Sequence, residues 1–282
     1  MIMKYTSRFT LLLLVTAALF ACNDQQSAQT TQPTETATKQ PGIKEENISY
    51  SGDNTTMKGF VAFDSSSDVK RPAILIIPEW WGLNDYPKMR ARELARLGYI
   101  AMAMDMYGEG LTTDSPSVAG KLATPFYTNP QKALARIQAA LASLKNFSQT
   151  DTGKLAAIGY CFGGGMVLNA ARLGEPLKGV VSFHGSLIGA PANKDLLKAK
   201  ILVCHGADDP FVPKEEVAKF QKQMDSIKAD LTFKAYPGAV HAFTNPKATE
   251  VGKKWNIPIA YNAAADSASW KDMQAFFDKI FK

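Results

Sequence analysis

The stretch Lys154-Leu-Ala-Ala-Ile-Gly-Tyr-Cys-Phe-Gly-Gly-Gly165 constrains the fold more than any other part of the chain. Leu155 to Ile158 is an uninterrupted apolar run, the mark of a short buried strand. It enters Gly159-Tyr160-Cys161-Phe162-Gly163, and Met166, Val167, Leu168 and Ala171 follow at helical spacing. Strand, sharp turn and helix around G-x-C-x-G make a nucleophile elbow with sulfur in place of the usual serine oxygen. Glycine on either side lets strand and helix pass close together, and the strained turn lifts Sγ clear of the sheet. The Phe162 amide, at the helix N-terminus, then points to where an oxyanion would form. A Gly-rich turn around a buried, inert thiol would use the same letters, so the assignment depends on the rest of the chain.

That remainder alternates strand and helix. Asn47–Tyr50 and Met57–Phe63 flank Gly52-Asp53-Asn54 as a hairpin. Ala73–Ile77 is continuously apolar, as expected of a strand buried on both faces of a parallel sheet. Asn84 or Asp85 caps a helix that places Leu94, Ala95 and Leu97 inward, and Tyr99–Met104 is the next strand. Residues 107–128, rich in Gly, Thr, Ser and Pro, read as one long loop. Asn129-Pro130 opens a helix with Ala133, Leu134, Ile137, Leu141 and Leu144 on one stripe. Beyond the elbow, strands are expected at Gly179–Phe183, Ile201–Cys204 and Leu231–Tyr236, with helices from Lys214 and from Asp266. The pattern predicts a mostly parallel, doubly wound α/β sheet in a single domain over residues 45–282. Reactive groups in such sheets gather at the carboxyl ends of the strands, and Glu79, Cys161, Asp209 and His241 each follow one.

The first 21 residues read as a targeting signal. Lys4 and Arg8 form the charged region, and Leu11–Phe20 is an apolar core too short to span a bilayer comfortably. Leu19-Phe20-Ala21-Cys22 resembles a bacterial lipoprotein signal, in which cleavage precedes a lipidated cysteine. Residues 22–44, rich in Gln, Thr, Ser and Ala without apolar period, read as a disordered tether. The expected address is an exported, membrane-anchored protein facing the periplasm. Of the formal net charge of +6, two units belong to Lys4 and Arg8, and no basic cluster speaks for nucleic acid. No metal or cofactor is expected.

A thiol needs a base to become a nucleophile. His241, in a glycine-containing loop after the last strand, is placed to take the thiol proton and return it to a leaving group. Asp208 or Asp209 is placed to fix its tautomer, and either also suits the turn before Pro210. His205 reads as a structural strand-end histidine, and His184 stays open. The chain order nucleophile, acid, histidine is that of α/β hydrolases.

Several pieces, in order, resemble the dienelactone hydrolase family of α/β hydrolases. They are Pro78-Glu79-Trp80-Trp81-Gly82, Asp105-Met106-Tyr107, Gly159-Tyr160-Cys161-Phe162-Gly163-Gly164, His205-Gly206-Ala207-Asp208-Asp209-Pro210-Phe211-Val212-Pro213, His241-Ala242-Phe243 and Tyr261-Asn262-Ala263-Ala264-Ala265. The resemblance implies an α/β-hydrolase fold and a Cys161–His241–Asp209 triad. Glu79 would hold the resting thiol, and the amides of Trp80 and Phe162 would form the oxyanion hole. Trp81, Tyr107, Glu109 and Asn245 would lie at the substrate pocket. Glu109 and Asn245 stand where dienelactone-cleaving relatives carry arginines for a substrate carboxylate, and Thr249–Ile259 reads as an insertion. The expectation is a hydrolase of small esters or lactones acting through a Cys161 thioester. A lipid-anchored binding protein on the same fold is the alternative class. Thiol-redox chemistry is disfavoured because the chain has no C-x-x-C.

Overall fold

The computed structural model describes residues 42–282. The expected signal segment 1–21, Cys22 and the tether up to residue 41 lie outside the described residues.

Strands β1 (Ile43–Gly52) and β2 (Thr55–Asp64) form a hairpin in full register, Gly52 opposite Thr55. Its turn residues Asp53 and Asn54 both have positive φ, the geometry that suits Asp and Asn in a tight hairpin. The hairpin is longer than the sequence suggests: β1 begins at Ile43, two residues inside the expected tether. Next come β3 (Arg71–Ile77), α1 (Asp85–Arg96), β4 (Ile100–Ala103), α2 (Pro116–Thr128) and α3 (Pro130–Lys145). The elbow strand β5 (Thr150–Tyr160) runs into α4 (Phe162–Arg172). Then follow β6 (Gly179–Phe183), β7 (Lys200–Gly206), α5 (Lys214–Ser226), β8 (Leu231–Tyr236), α6 (Ala248–Trp255) and α7 (Ala263–Ile280). Asn84 and Asn129 cap α1 and α3 through their side chains, as the sequence suggests.

The sheet order is β1-β2-β4-β3-β5-β6-β7-β8. The β1 and β2 pairings are antiparallel and the remaining six strands are parallel. This is the α/β-hydrolase sheet, and alternation along β3 shows how it is sealed. Leu75 and Ile77 join Met102, Ile137, Leu168 and Val203 on one face. Ile74 and Ile76 join Leu94, Leu202, Met273 and Phe277 on the other. Burying one such side chain stabilises by about 1.5–3 kcal/mol, so both faces hold the strand ends in place.

One segment differs from the reading of its composition. The second half of the expected 107–128 loop is helix α2, whose Ala119, Ala123 and Phe126 are buried at helical spacing. Its Thr124 and Thr128 hydroxyls bond back to the Gly120 and Thr124 carbonyls, which turns residues counted as loop formers into helix partners. The expected insertion, Thr249–Ile259, carries most of α6, which is closed by Asn256 in a left-handed cap. Among the described residues no helix is long and apolar enough to cross a membrane.

Candidate active site

The elbow has the geometry that its glycines permit. Cys161 sits at φ 54 and ψ −115, a conformation that typically costs about 1–3 kcal/mol and persists only where the surroundings enforce it. A Cβ on Gly159 would collide with the Gly163 carbonyl, and one on Gly163 with the Ile77 carbonyl, so strand and helix can cross only with glycine at both places. The Cys161 amide is shared between the Phe183 carbonyl (3.0 Å) and His184 Nδ1 (3.1 Å). The Cys161 carbonyl accepts from Gly164 (3.0 Å) and Gly165 (3.3 Å), closing the first turn of α4.

Three strand ends converge on the sulfur. His241 Nε2 lies 3.0 Å from Cys161 Sγ, and His241 Nδ1 lies 2.8 Å from Asp209 Oδ2. Burial alone would lower the His241 pKa, but the Cys161 sulfur and the Asp209 carboxylate outweigh it and raise the value to about 10. An imidazolium beside Sγ stabilises negative charge on sulfur. Asp208 and Asp209 separate cleanly. Asp209 is buried, with its other oxygen taking the Phe211 amide, whereas Asp208 is exposed and caps Gly238. His205 packs against Phe233 and makes no hydrogen bond to Cys161, Asp209 or His241.

The expected oxyanion donors are the amides of Trp80 and Phe162. Among the described residues neither amide donates to another protein group. The Trp80 peptide is fixed through its carbonyl, which accepts the Tyr107 hydroxyl at 2.8 Å. Tyr107 therefore spends its polar atom on the backbone rather than on a pocket, while its ring lies 5.9 Å from that of Phe162. Buried Asp105 organises this corner: its carboxylate takes the amides of Tyr107, Gly108, Gly110 and Lys58 at 2.8–3.1 Å. Phe162, Tyr127 and Phe211 add rings around the Cys161–His241 pair; Phe211 is 51% exposed and stands 5.1 Å from the His241 ring.

Two expected site residues play different parts. Glu79 does not hold the thiol here; its Oε2 accepts from Asn245 Nδ2 at 2.7 Å, and the thiol belongs to His241. Burial pushes the Glu79 carboxyl up to about 7, against opposing pulls from Asn245, His241 and Arg90. Asn245, where an arginine was the point of comparison, satisfies this buried acid without adding charge. Glu109 is exposed in a left-handed turn whose amide bonds the Thr56 carbonyl. It is absent from the lining of the groove beside the site. That groove, about 380 Å³, is walled by Trp81, Met89, Val251 and Trp255 and shares Asn245 with the Glu79 pair.

Residues 57–281 match the dienelactone hydrolase family. The chain belongs to that family. A putative carboxymethylenebutenolidase of Aquifex aeolicus is 29% identical over 210 residues, covering 72% of this chain and 89% of that protein. Protein usf of Aquifex pyrophilus is 28% identical over 226 residues, covering 76% and 96%. Among solved structures, a dienelactone hydrolase-like promiscuous phosphotriesterase from metagenomic libraries aligns with a TM-score of 0.79 at 36% identity, covering 84% of this chain and 98% of that one.

Within this dienelactone hydrolase domain, the sequence leaves His184 open and points neither to Asp105 as a site organiser nor to Thr244. Asp105 had a signal, since an acid directly after an apolar strand and before Tyr-Gly-Glu-Gly suits a loop cap. His184 directly follows β6, but its partners come from remote segments and leave no mark on local spacing. Among the described residues no group of His, Cys, Asp and Glu has metal-binding geometry.

Proposed function

We propose that this dienelactone hydrolase family member is a cysteine hydrolase of small, neutral esters and lactones. The observation that carries the reading is the pair of distances joining Cys161 Sγ, His241 and Asp209, 3.0 and 2.8 Å. Cys161 sulfur attacks the substrate carbonyl carbon, and the carbonyl π pair moves to oxygen, facing the Trp80 and Phe162 amides. The oxyanion collapses, the ester C–O bond breaks, and the leaving alkoxide takes the proton from His241 Nε2. A water then gives its proton to His241 and attacks the thioester; collapse expels the Cys161 thiolate and releases the acid. Asp209 holds the imidazole orientation throughout.

Neutral substrates are favoured because neither position compared with an arginine supplies a cation, Asn245 being spent on Glu79 and Glu109 exposed outside the groove; of the bases that line the groove, Arg92 pairs with Glu45 and Lys254 with Asp114, which leaves Lys247. The groove walled by Trp81 and Trp255 would take an apolar part of the substrate. The related phosphotriesterase makes phosphotriesters a second substrate class to assay, with the same sulfur attacking phosphorus. Turnover of a short chromogenic ester, lost in Cys161→Ala, with an acyl adduct on Cys161 trapped in acid and seen by mass spectrometry, is the expected result. Equal turnover by Cys161→Ala would overturn the reading; absence of turnover with neutral and anionic esters alike would favour a binding protein. The N-terminal reading joins this proposal: Cys22 carries lipid, and Cys22→Ser is expected to release the protein from the membrane fraction.

A further inference from the structure

His184 is a buried imidazole that the chemistry above does not use. It follows β6 at φ 40 and is 1% exposed. Its Nδ1 faces the Cys161 amide at 3.1 Å, and its Nε2 lies 2.7 Å from Thr244 Oγ1, three residues beyond His241. A backbone amide only donates, so Nδ1 is the bare nitrogen and the proton sits on Nε2. Thr244 Oγ1 accepts that proton's bond and shares a second hydrogen bond with Tyr86 Oη, 2.6 Å away. Arg90 anchors the far end, donating to the Thr244 carbonyl at 2.7 Å and to Asp266. Burial and the nearby His241 hold the His184 pKa well below its ordinary value, so the accepting nitrogen stays bare.

Among the described residues, His184 is the only side chain hydrogen-bonded both to the nucleophile's backbone and to the loop that carries the base. Strained backbone lies on both sides of that link: Cys161 has φ 54, and Ala242, between His241 and Thr244, has φ 58. The ring sits 5.4 Å from the His241 ring and touches neither Sγ nor the expected oxyanion position through a hydrogen bond. We propose that His184 is a positioning residue. Held as the Nε2–H tautomer, it braces the elbow against the His241 loop and so sets the spacing between Cys161 Sγ and His241 Nε2. The proposal rests on the Cys161–His241 reading above, and misplacement of reacting groups by about 1 Å costs on the order of a hundredfold in rate.

Three variants of the full chain separate the two contacts. His184→Asn keeps an acceptor where Nδ1 stands and drops Thr244; His184→Gln reaches Thr244 and drops the acceptor; His184→Leu drops both. On a short neutral ester, kcat is expected to fall about tenfold in the Asn and Gln variants and about a hundredfold in the Leu variant, with KM held within about threefold. Adding Thr244→Val to His184→Leu is expected to cost no more than about twofold further, because the link is already broken. Alkylation of Cys161 by iodoacetamide reads the sulfur–imidazole pairing without any substrate, and is expected to slow in the same order. Assays run below each variant's Tm. Wild-type kcat and alkylation rate in the folded Leu variant would overturn the brace, as would a rise in KM at constant kcat. If the Leu variant does not fold, wild-type values in both Asn and Gln variants overturn it. Failure of the wild type to turn over any ester sinks the hydrolase reading alone, since alkylation still decides the brace.

Discussion

Asp208 and Asp209 are adjacent, yet only Asp209 turns its carboxylate inward to His241, at 2.8 Å. Its loss and that of His241 should therefore be non-additive. His241→Ala is expected to lower kcat about 10⁴-fold, Asp209→Ala in that background less than about tenfold more, and His205→Ala alone less than about threefold. Steady-state kinetics on one chromogenic ester check this, and a silenced His205→Ala enzyme would sink the assignment. Glu79 gives a pH prediction. Its folded pKa, raised to about 7 by burial, exceeds the ordinary 4.5. The folded state therefore binds the proton more tightly, so this group's contribution is most favourable below pH 4.5 and declines as pH rises to 7. Glu79→Gln keeps the neutral form and should gain roughly 2–3 kcal/mol over the parent at pH 8, with little difference at pH 4.5. Urea unfolding at both values measures it; a constant gap at the two pH values would contradict the burial argument. At this scale the Cys161–His241–Asp209 constellation was legible because each member lies past the end of a strand, Cys161 directly, Asp209 three residues on and His241 five. The Glu79–Asn245 pair was not, since it joins residues 166 apart in sequence.

Helix α2 shows where composition misleads, since its letters suit a loop, and α6 lies where an insertion is expected. Each sets its buried positions at helical spacing against a surface: Ala119, Ala123 and Phe126 in α2, Ala248 and Gly252 in α6. That surface is tertiary and invisible to a local window. The elements that were legible, β3 and the β5–α4 elbow, carry their signal within a single run of residues. Helix α6 matters because it forms one wall of the groove beside Asn245, with Val251 and Trp255. Its approach depends on Gly252, where a Cβ would meet the Ile259 carbonyl. If the groove takes the apolar part of the substrate, Trp255→Ala should lower kcat/KM for a hexanoate ester about tenfold more than for the matching acetate, the scale of a lost apolar contact of 1–3 kcal/mol. Gly252→Val should reproduce this selectivity change by displacing the helix. An unchanged hexanoate-to-acetate ratio in both variants would remove the groove from the substrate path.

For the whole molecule, strand order decides what the cysteines can do. The alternation of apolar runs and helices made the doubly wound sheet legible, and the β5-β6-β7 order follows from keeping crossovers short and right-handed. Cys161 lies just past β5 and Cys204 lies in β7, with β6 between them. Two strand spacings amount to roughly 9–10 Å, whereas a disulfide needs Cα atoms closer than about 7 Å. Both thiols are free in the structure. They nevertheless differ. Cys204 is fully buried, its Sγ accepts from Tyr236 Oη at 3.5 Å, and burial pushes its thiol up to about 12. Cys161 is partly exposed beside an imidazole raised to about 10. A brief pulse of iodoacetamide at pH 7 should therefore label Cys161 and spare Cys204 in the folded protein. The same reagent in denaturant without reductant should label both, as located by peptide mapping. Equal native labelling would show that β7 is not sealed. An oxidised Cys161–Cys204 pair would contradict the sheet order, and it would remove the free sulfur on which the proposed thioester depends.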